Sequence, residues 1–387
     1  MRILVSSTPG MGHLTCLLPL ASALRDAGHD VLFVTTAESC EVVAGFGFAV
    51  RPAGMAPAER RAALAPRQAE VMALPPRRRR GLLFSIMFAG AAAPAMRVEL
   101  APIMDEFGPD AVIHETGELA AAPLAKARDI PSVTVAFSGA VPEWSHEMVL
   151  ASLARLWADE GLQPPTFQDV CGDLYLHPFP PSFDQAPPVR GVAPMRPTAV
   201  WSAADAAPTW LAELGTARPL VYLTSGTEPA AAQGPWTAAL EALGDLDVDA
   251  VATIGRHIDP STFGPIPSNV RVERFVPQQF VLDRAALVMS HAGAGSLLGA
   301  TATGVPQLLN PIWADQWENA DAASGAGVAV TCELEQRSAA DIAAALQQLL
   351  DDGRFSDAAS RVADEVAAMP APVDHVATIE ALVSAAS

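Results

Sequence analysis

Two textures alternate along this chain. Short runs of aliphatic and β-branched residues predict strands, and longer stretches with apolar residues every three or four positions predict helices. In the first third the runs at 2–6, 31–35, 111–114 and 132–136 read as strands, and the stretches at 13–27 and 117–128 as helices. That alternation is the punctuation of a parallel sheet covered on both faces. After residue 163 it breaks down. Pro164, Pro165, Pro178, Pro180, Pro181, Pro187, Pro188, Pro194 and Pro197 crowd a stretch too interrupted for regular elements, which reads as a semi-rigid linker.

The alternation restarts with strands at 220–224, 250–254 and 286–290 and helices at 230–243, 293–302 and 339–350, the last with Ser338 placed to cap it. A final helix over 373–386 follows the break at Met369-Pro370-Ala371-Pro372. The predicted fold class is α/β, two Rossmann-like domains whose parallel sheets face each other across a ligand-binding cleft. Residues 1–200 and 201–370 form the two domains, and the helix at 371–387 is expected to pack back on the first.

Composition narrows the function. A chain of 387 residues, half of them hydrophobic, supports two or three cores, at roughly 150 residues per domain. Its formal charge of −19 argues against nucleic acid or an anionic membrane as partner, since both need a broad cationic face. The one basic run, Arg77 to Arg80, follows Pro75-Pro76 and reads as a solvated loop. No signal-peptide pattern opens the chain. Proline, glycine or charge cuts every apolar stretch short of the ~20 residues that span a bilayer. Cys16, Cys40, Cys171 and Cys332 lack metal-ligand spacing, so a soluble protein of the reducing cytoplasm is expected. Self-association as a homodimer is left open.

The chemistry concentrates at strand ends. Met289-Ser290-His291-Ala292-Gly293-Ala294-Gly295-Ser296 takes an apolar strand through a small-residue turn into a helix. Free backbone N–H groups and a positive helix end there suit a phosphate. About twenty residues on, the segment from Asn310 to Asn319, another loop running into a helix, supplies a carboxylate and two amides for hydroxyl groups. Phosphate cradle and hydroxyl-binding cluster together suggest a sugar nucleotide. The hydroxyls of Ser225 and Thr227 around Gly226 suit either phosphate or ordinary turn chemistry. Phe275, Val276 and Gln278 offer an aromatic face and an amide for a base, although a phenylalanine in such a place is more often core. Asp245-Leu246-Asp247-Val248-Asp249 has the DxD spacing of some metal sites but lies where exposed carboxylates are common; no metal is expected.

In the first domain, Thr8-Pro9-Gly10-Met11-Gly12-His13 turns out of the first strand and begins a helix with a histidine suited to taking a proton. A dinucleotide fingerprint is the competitor. It lacks its third glycine, with Thr15 in that place, and no acid ends the second strand. Glu115, at the end of another strand, would orient His13, with Glu118 as the rival.

These segments together resemble the family 1 glycosyltransferases of GT-B fold, in particular the actinobacterial branch that decorates natural products with activated deoxysugars. The resemblance rests on Pro9 to His13 with Pro19-Leu20-Ala21 and Leu24 to His29, Phe275 to Gln278, His291 to Ser296, Gly304-Val305-Pro306-Gln307 and Asp315-Gln316, in this order and spacing. It implies an inverting, metal-independent transferase with no cofactor and a TDP-sugar as co-substrate. His13 would be the general base and Glu115 its partner. Ser225, Thr227, Phe275, Val276, Gln278, His291, Gly293, Ala294, Gly295, Ser296, Asp315 and Gln316 would bind the donor in the second domain. Gly299 stands where plant relatives carry a ribose-binding glutamate, which favours a 2′-deoxyribose and hence TDP. The first domain would bind a hydrophobic small-molecule acceptor through Phe84, Phe88, Trp144 and Met148, with Trp157 nearby; core packing is the plainer role for these residues. A UDP-sugar-dependent transferase and a catalytically silent homologue assisting a partner enzyme are the alternatives.

Overall fold

A computed structural model describes residues 1–199, 206–224, 226, 235–256, 258–333 and 335–386. The chain divides into two compact units. The first comprises Met1–Pro178, Ala186–Ser202 and Pro370–Ser387, and the second Phe179–Gln185 and Ala203–Met369.

The first unit holds seven parallel strands: β1 (Arg2–Ser6), β2 (Asp30–Thr35), β3 (Ala49–Pro52), β4 (Ala111–Glu115), β5 (Ser132–Val135), β6 (Leu174–His177) and β7 (Val192–Pro194). They lie in the order β3-β2-β1-β4-β5-β6-β7. Alternation along each central strand feeds two cores. Ile3, Val5, Phe33 and Ile113 point to one face, and their neighbours Leu4, Val34 and Val112 to the other. The helix Val376–Ala386 belongs to this unit and closes the first of these cores with Val376 and Ile379.

The proline-rich stretch is not the irregular linker that its composition suggests. β6 and β7 lie inside it and extend the sheet, because a short parallel strand needs only a neighbour with free backbone groups. Pro194 is tolerated at the end of the edge strand, where a missing N–H leaves no ladder bond unmade. The arginine run is likewise not a solvated loop. Arg79 and Arg80 begin the helix Arg79–Phe84. Arg80 is buried and donates to Ser138 Oγ (3.0 Å) and to the carbonyls of Gly139 (2.6 Å) and Ala140 (3.1 Å).

Two helical stretches, Pro76–Phe107 and Gly353–Ala386, reach the length and hydropathy of a membrane span, against the expectation that none would. In the first, Gly81, Gly90 and Pro94 do not end the helix; a π-helical segment, Ser85–Ala92, absorbs the change of register. Its Leu82, Leu83, Ile86 and Met96 are buried inside the unit.

The second unit has six parallel strands: β8 (Leu220–Thr224), β9 (Asp249–Thr253), β10 (Val270–Glu273), β11 (Leu287–Ser290), β12 (Gln307–Leu309) and β13 (Ala329–Thr331). Their order is β10-β9-β8-β11-β12-β13. The helix expected over 230–243 is described as Trp236–Gly244, its earlier residues lying outside the described ones. Ser338 caps the helix Ala339–Asp351, accepting from the Asp341 N–H at 3.2 Å. In both sheets the winding reverses beside the first strand, between β1 and β4 and between β8 and β11. Connections leave both strand ends at such a reversal, opening a crevice for a ligand.

Candidate functional site

At the β1/β4 reversal, Ser6 pairs with His114, so the residues just past each strand end become neighbours. Gly10, at φ 130°, turns the chain into the short helix Met11–Thr15 that carries His13. Glu115 ends β4 fully buried, and its Oε1 lies 3.1 Å from His13 Nδ1. The structure thus gives His13 to Glu115 rather than to Glu118. The Glu118 carboxylate instead accepts from the Ala120 and Ala121 N–H groups at 3.0 and 3.1 Å. That contact also delays the helix expected from 117, which runs only over Ala121–Lys126.

Between His13 and Glu115 sits Thr8. Its N–H and hydroxyl both reach Glu115 Oε1, at 3.0 and 2.6 Å, and the same hydroxyl lies 3.0 Å from His13 Nδ1. A hydroxyl has one proton to give. Donated to the carboxylate, it leaves the threonine oxygen able only to accept from the imidazole, so Nδ1 carries the proton and Nε2 holds the lone pair. Glu115 Oε2 also accepts the Gly117 N–H. Burial works to raise the Glu115 carboxyl, but attraction to His13 and the hydrogen bonds from Thr8 outweigh it and hold the group below its ordinary range. Glu118 has no such counter-charge: burial, assisted by the Glu115 charge, pushes it up to about 7.

The imidazole lies against Phe137 (ring centroids 4.1 Å apart) and Phe88 (5.5 Å), and its side chain is 12% exposed. Gly117 permits this packing, since a Cβ there would meet the Phe88 ring at 2.9 Å. The Arg60 guanidinium covers Phe88 at 4.9 Å from the ring centroid. Among the residues assigned to the acceptor, then, Phe88 adjoins His13. Phe84 and Trp157 do not offer acceptor surface: the helices that carry them, Arg79–Phe84 and His146–Asp159, bury both in one apolar core with Leu153 and Leu156. Trp144 and Met148 are exposed, the indole lying 5.0 Å from the Arg78 guanidinium.

In the second unit, β11 delivers His291 to the start of the helix Ala294–Ala302, with Gly293 as its N-cap. Ala292 takes φ 64°, held there by its N–H to Ser290 Oγ (3.1 Å) and its carbonyl to Asn319 Nδ2 (2.9 Å). Gly293 and Gly226 press on the imidazole, leaving no room for a Cβ at either. Burial pushes His291 down to about 4, the Asp315 charge offsetting only part of the effect. Asn319 Nδ2 also binds Asp315 Oδ2 (2.9 Å), fixing the carboxylate. Gln316 Oε1 accepts from the Ile312 and Trp313 N–H groups (2.7 and 2.9 Å), so its outward-going function is the amide N–H₂.

Ala294 and Ser296 are mostly buried in the first turn of the helix. Gln278 Nε2 donates to the Gly295 carbonyl at 3.1 Å, and a Cβ on Gly299 would meet that nitrogen at 2.9 Å. Phe275 is exposed with the Arg256 guanidinium 3.7 Å from its centroid, whereas the Val276 side chain is core. Ser225 and Thr227 lie outside the described residues. Of the DxD carboxylates, Asp249 binds Arg218 and the Gly215 N–H (3.0 Å), and Asp247 lies 3.9 Å from Arg218. Sequence reasoning assigned no role to Thr8, Phe137 or Gly117. Only Thr8, two residues past β1 and five before His13, had a positional signal.

Residues 237–382 match the family described as the C-terminal domain of erythromycin biosynthesis protein CIII-like proteins. Over 96% of both chains the protein is 32% identical to L-demethylnoviosyl transferase of Streptomyces niveus. It is 30% identical to the elloramycin glycosyltransferase ElmGT of Streptomyces olivaceus, over 98% of this chain and 97% of that one. Among solved structures, the glycosyltransferase SsfS6 of Streptomyces sp. SF2575, complexed with thymidine diphosphate, superposes with a TM-score of 0.78 at 26% identity, covering 98% of this chain and 99% of that one. Two doubly wound parallel sheets, the strand-end histidines and full-length similarity converge: the chain belongs to the GT-B glycosyltransferases of family 1, in the actinobacterial natural-product branch.

Proposed function

We propose that this glycosyltransferase moves a sugar, a deoxysugar by preference, from a TDP-sugar to a hydroxyl of a hydrophobic natural-product acceptor, with inversion and without a metal. The observation that carries the reading is the Thr8–His13–Glu115 arrangement, which presents an imidazole lone pair beside two phenyl rings. His13 Nε2 takes the acceptor proton as the oxygen attacks the anomeric carbon, and Glu115 stabilises the imidazolium that forms. Attack from the face opposite the leaving diphosphate inverts the centre. The departing charge is met by the N–H groups opening the helix Ala294–Ala302 and by His291, which take the place of a cation. Asp315 and the Gln316 amide bind sugar hydroxyls.

TDP as the donor nucleotide is supported by thymidine diphosphate in the SsfS6 complex and by Gln278 lying against Gly299, where no carboxylate is available for a ribose diol. Phe88 and Phe137 favour a flat apolar acceptor. The four free cysteines suit the reducing cytoplasm, where we place the reaction. The test is a panel of TDP- and UDP-sugars with alcohol and phenol acceptors in EDTA, products identified by mass and anomeric configuration by NMR. Transfer that vanishes in EDTA and returns with magnesium or manganese would overturn the metal-free mechanism, and retained configuration would overturn inversion.

A further inference from the structure

Hydrogen bonds hold the His13 ring along its Nδ1 edge, at Thr8 and Glu115. A planar ring held at one edge can still rock about it, so the direction of the Nε2 lone pair depends on what packs against the ring. Phe137 and Phe88 do so, with centroids 4.1 and 5.5 Å from that of the imidazole. Phe88 is carried by the helical segment Ser85–Ala92 and is fixed by its backbone. Phe137 lies in the loop after β5, and a loop residue keeps its place only as far as the loop is tied down.

The ties to this loop are unequal. The Phe137 N–H donates to Thr116 Oγ1 across a long 3.4 Å. The three residues that follow all bond to one guanidinium: Arg80 Nη2 donates to Ser138 Oγ at 3.0 Å and to the Gly139 carbonyl at 2.6 Å, and Nη1 donates to the Ala140 carbonyl at 3.1 Å. Arg80 and Ser138 are 5% and 3% exposed, so little water competes for these bonds. Arg80 and Phe88 belong to the same helical stretch, Pro76–Phe107. One stretch therefore carries one aromatic neighbour of the imidazole and fastens the other.

We infer that Arg80 is a positioning residue for the transfer reaction: its guanidinium pins residues 138–140, the pinned loop sets Phe137 against the imidazole, and Phe137 keeps His13 Nε2 aimed at the acceptor hydroxyl. The chemistry calls for arginine. A rigid planar fork meets acceptors on three consecutive residues, whereas an ammonium on a flexible stem supplies charge without that geometry. A buried cation could also act on Glu115 through its charge alone. Lysine in its place separates the two effects, because it keeps the charge and loses the fork. The catalytic consequence rests on His13 being the base, as proposed above; the placement of Phe137 by Arg80 does not.

The test combines kinetics and NMR on the whole protein. Arg80→Lys should lower kcat about tenfold to a hundredfold, with TDP affinity by calorimetry unchanged. The His13 Cε1–H resonance, assigned through His13→Gln, senses the ring current of Phe137. Phe137→Leu should displace it, and Arg80→Lys should displace it in the same direction by a smaller amount. If Arg80 acts through Phe137, adding Arg80→Lys to Phe137→Leu should cost less than about a further twofold in kcat. Losses that multiply, a resonance that Arg80→Lys leaves in place, or a lysine variant with wild-type kcat would each overturn the inference. Should the lysine variant fail to fold, Ser138→Ala decides: it removes one of the three bonds, and should cost about threefold to tenfold in kcat with the same displacement of the resonance. A Ser138→Ala protein with wild-type kcat and an unmoved resonance would overturn the inference in its turn. Near-normal turnover in His13→Ala, with the resonance displaced by Arg80→Lys, would sustain the placement of Phe137 and overturn the reading of His13 as base.

Discussion

Thr8→Val is the sharpest test of the catalytic arrangement, because valine keeps the β-branched shape and removes only the hydroxyl. That hydroxyl makes two contacts, 2.6 Å to Glu115 Oε1 and 3.0 Å to His13 Nδ1. Glu115 keeps the Thr8 and Gly117 N–H groups and stays within 3.1 Å of His13, so the pair survives but is less firmly held. A hydrogen bond to a buried charge contributes about 1.5–3 kcal/mol, which corresponds to a loss of roughly tenfold to a hundredfold in kcat if the bond orients the base. The hydroxyl also helps to hold Glu115 below its ordinary range. Its removal raises that carboxyl, and because the dyad needs the carboxylate, the acid limb of the kcat profile should move to higher pH. Initial rates with saturating TDP-sugar and an acceptor from the panel, over pH 4–9, measure both effects. TDP affinity by calorimetry should be unchanged, and Thr8→Ser should recover most of the rate. A Thr8→Val enzyme within twofold of wild-type kcat, with an unmoved acid limb, would refute the assignment of the tautomer to this hydroxyl.

His13→Ala should lower turnover by about 10²–10⁴ with TDP affinity intact; near-normal turnover would remove His13 as the base. Glu118 is fully buried and held at about 7 against an ordinary 4.5, so the folded state binds its proton more tightly than the unfolded one. Stability is therefore lost as pH rises from about 4.5 to about 7, by something on the order of 3 kcal/mol, and urea unfolding at pH 5 and pH 8 should show Glu118→Gln relieved of most of that loss. An equal pH slope in both proteins would contradict it. Gly299→Glu must displace Gln278 Nε2, 2.9 Å from the new Cβ, and should shift nucleotide preference toward UDP by on the order of 1 kcal/mol in calorimetry. A wild type that already prefers UDP would contradict the TDP reading. Asp247→Asn should leave transfer rates unchanged, since that carboxylate is 92% exposed and faces Arg218; a tenfold loss would reopen a metal role for the acidic run.

Local physics made much of this molecule legible in one dimension. Strands at β1, β4, β8 and β11 are continuous apolar runs because both faces of a parallel sheet are covered, and small residues after them must turn into helices. His13, Glu115 and His291 could be picked out because each follows or ends such a run. What the pattern could not carry was anything decided by a partner far along the chain. β6 and β7 exist only because a neighbouring strand offers backbone groups, so proline content misled. Arg80 is buried because the carbonyls of the 139–140 loop reach it, which no run of four arginines announces. The choice between Glu115 and Glu118 turned on three residues of spacing, and tertiary structure settled it by giving one carboxylate to His13 and Thr8 and the other to a helix end. Periodicity and strand ends are properties of a few consecutive residues, whereas tautomers, buried charges and cavities belong to the packing of distant ones.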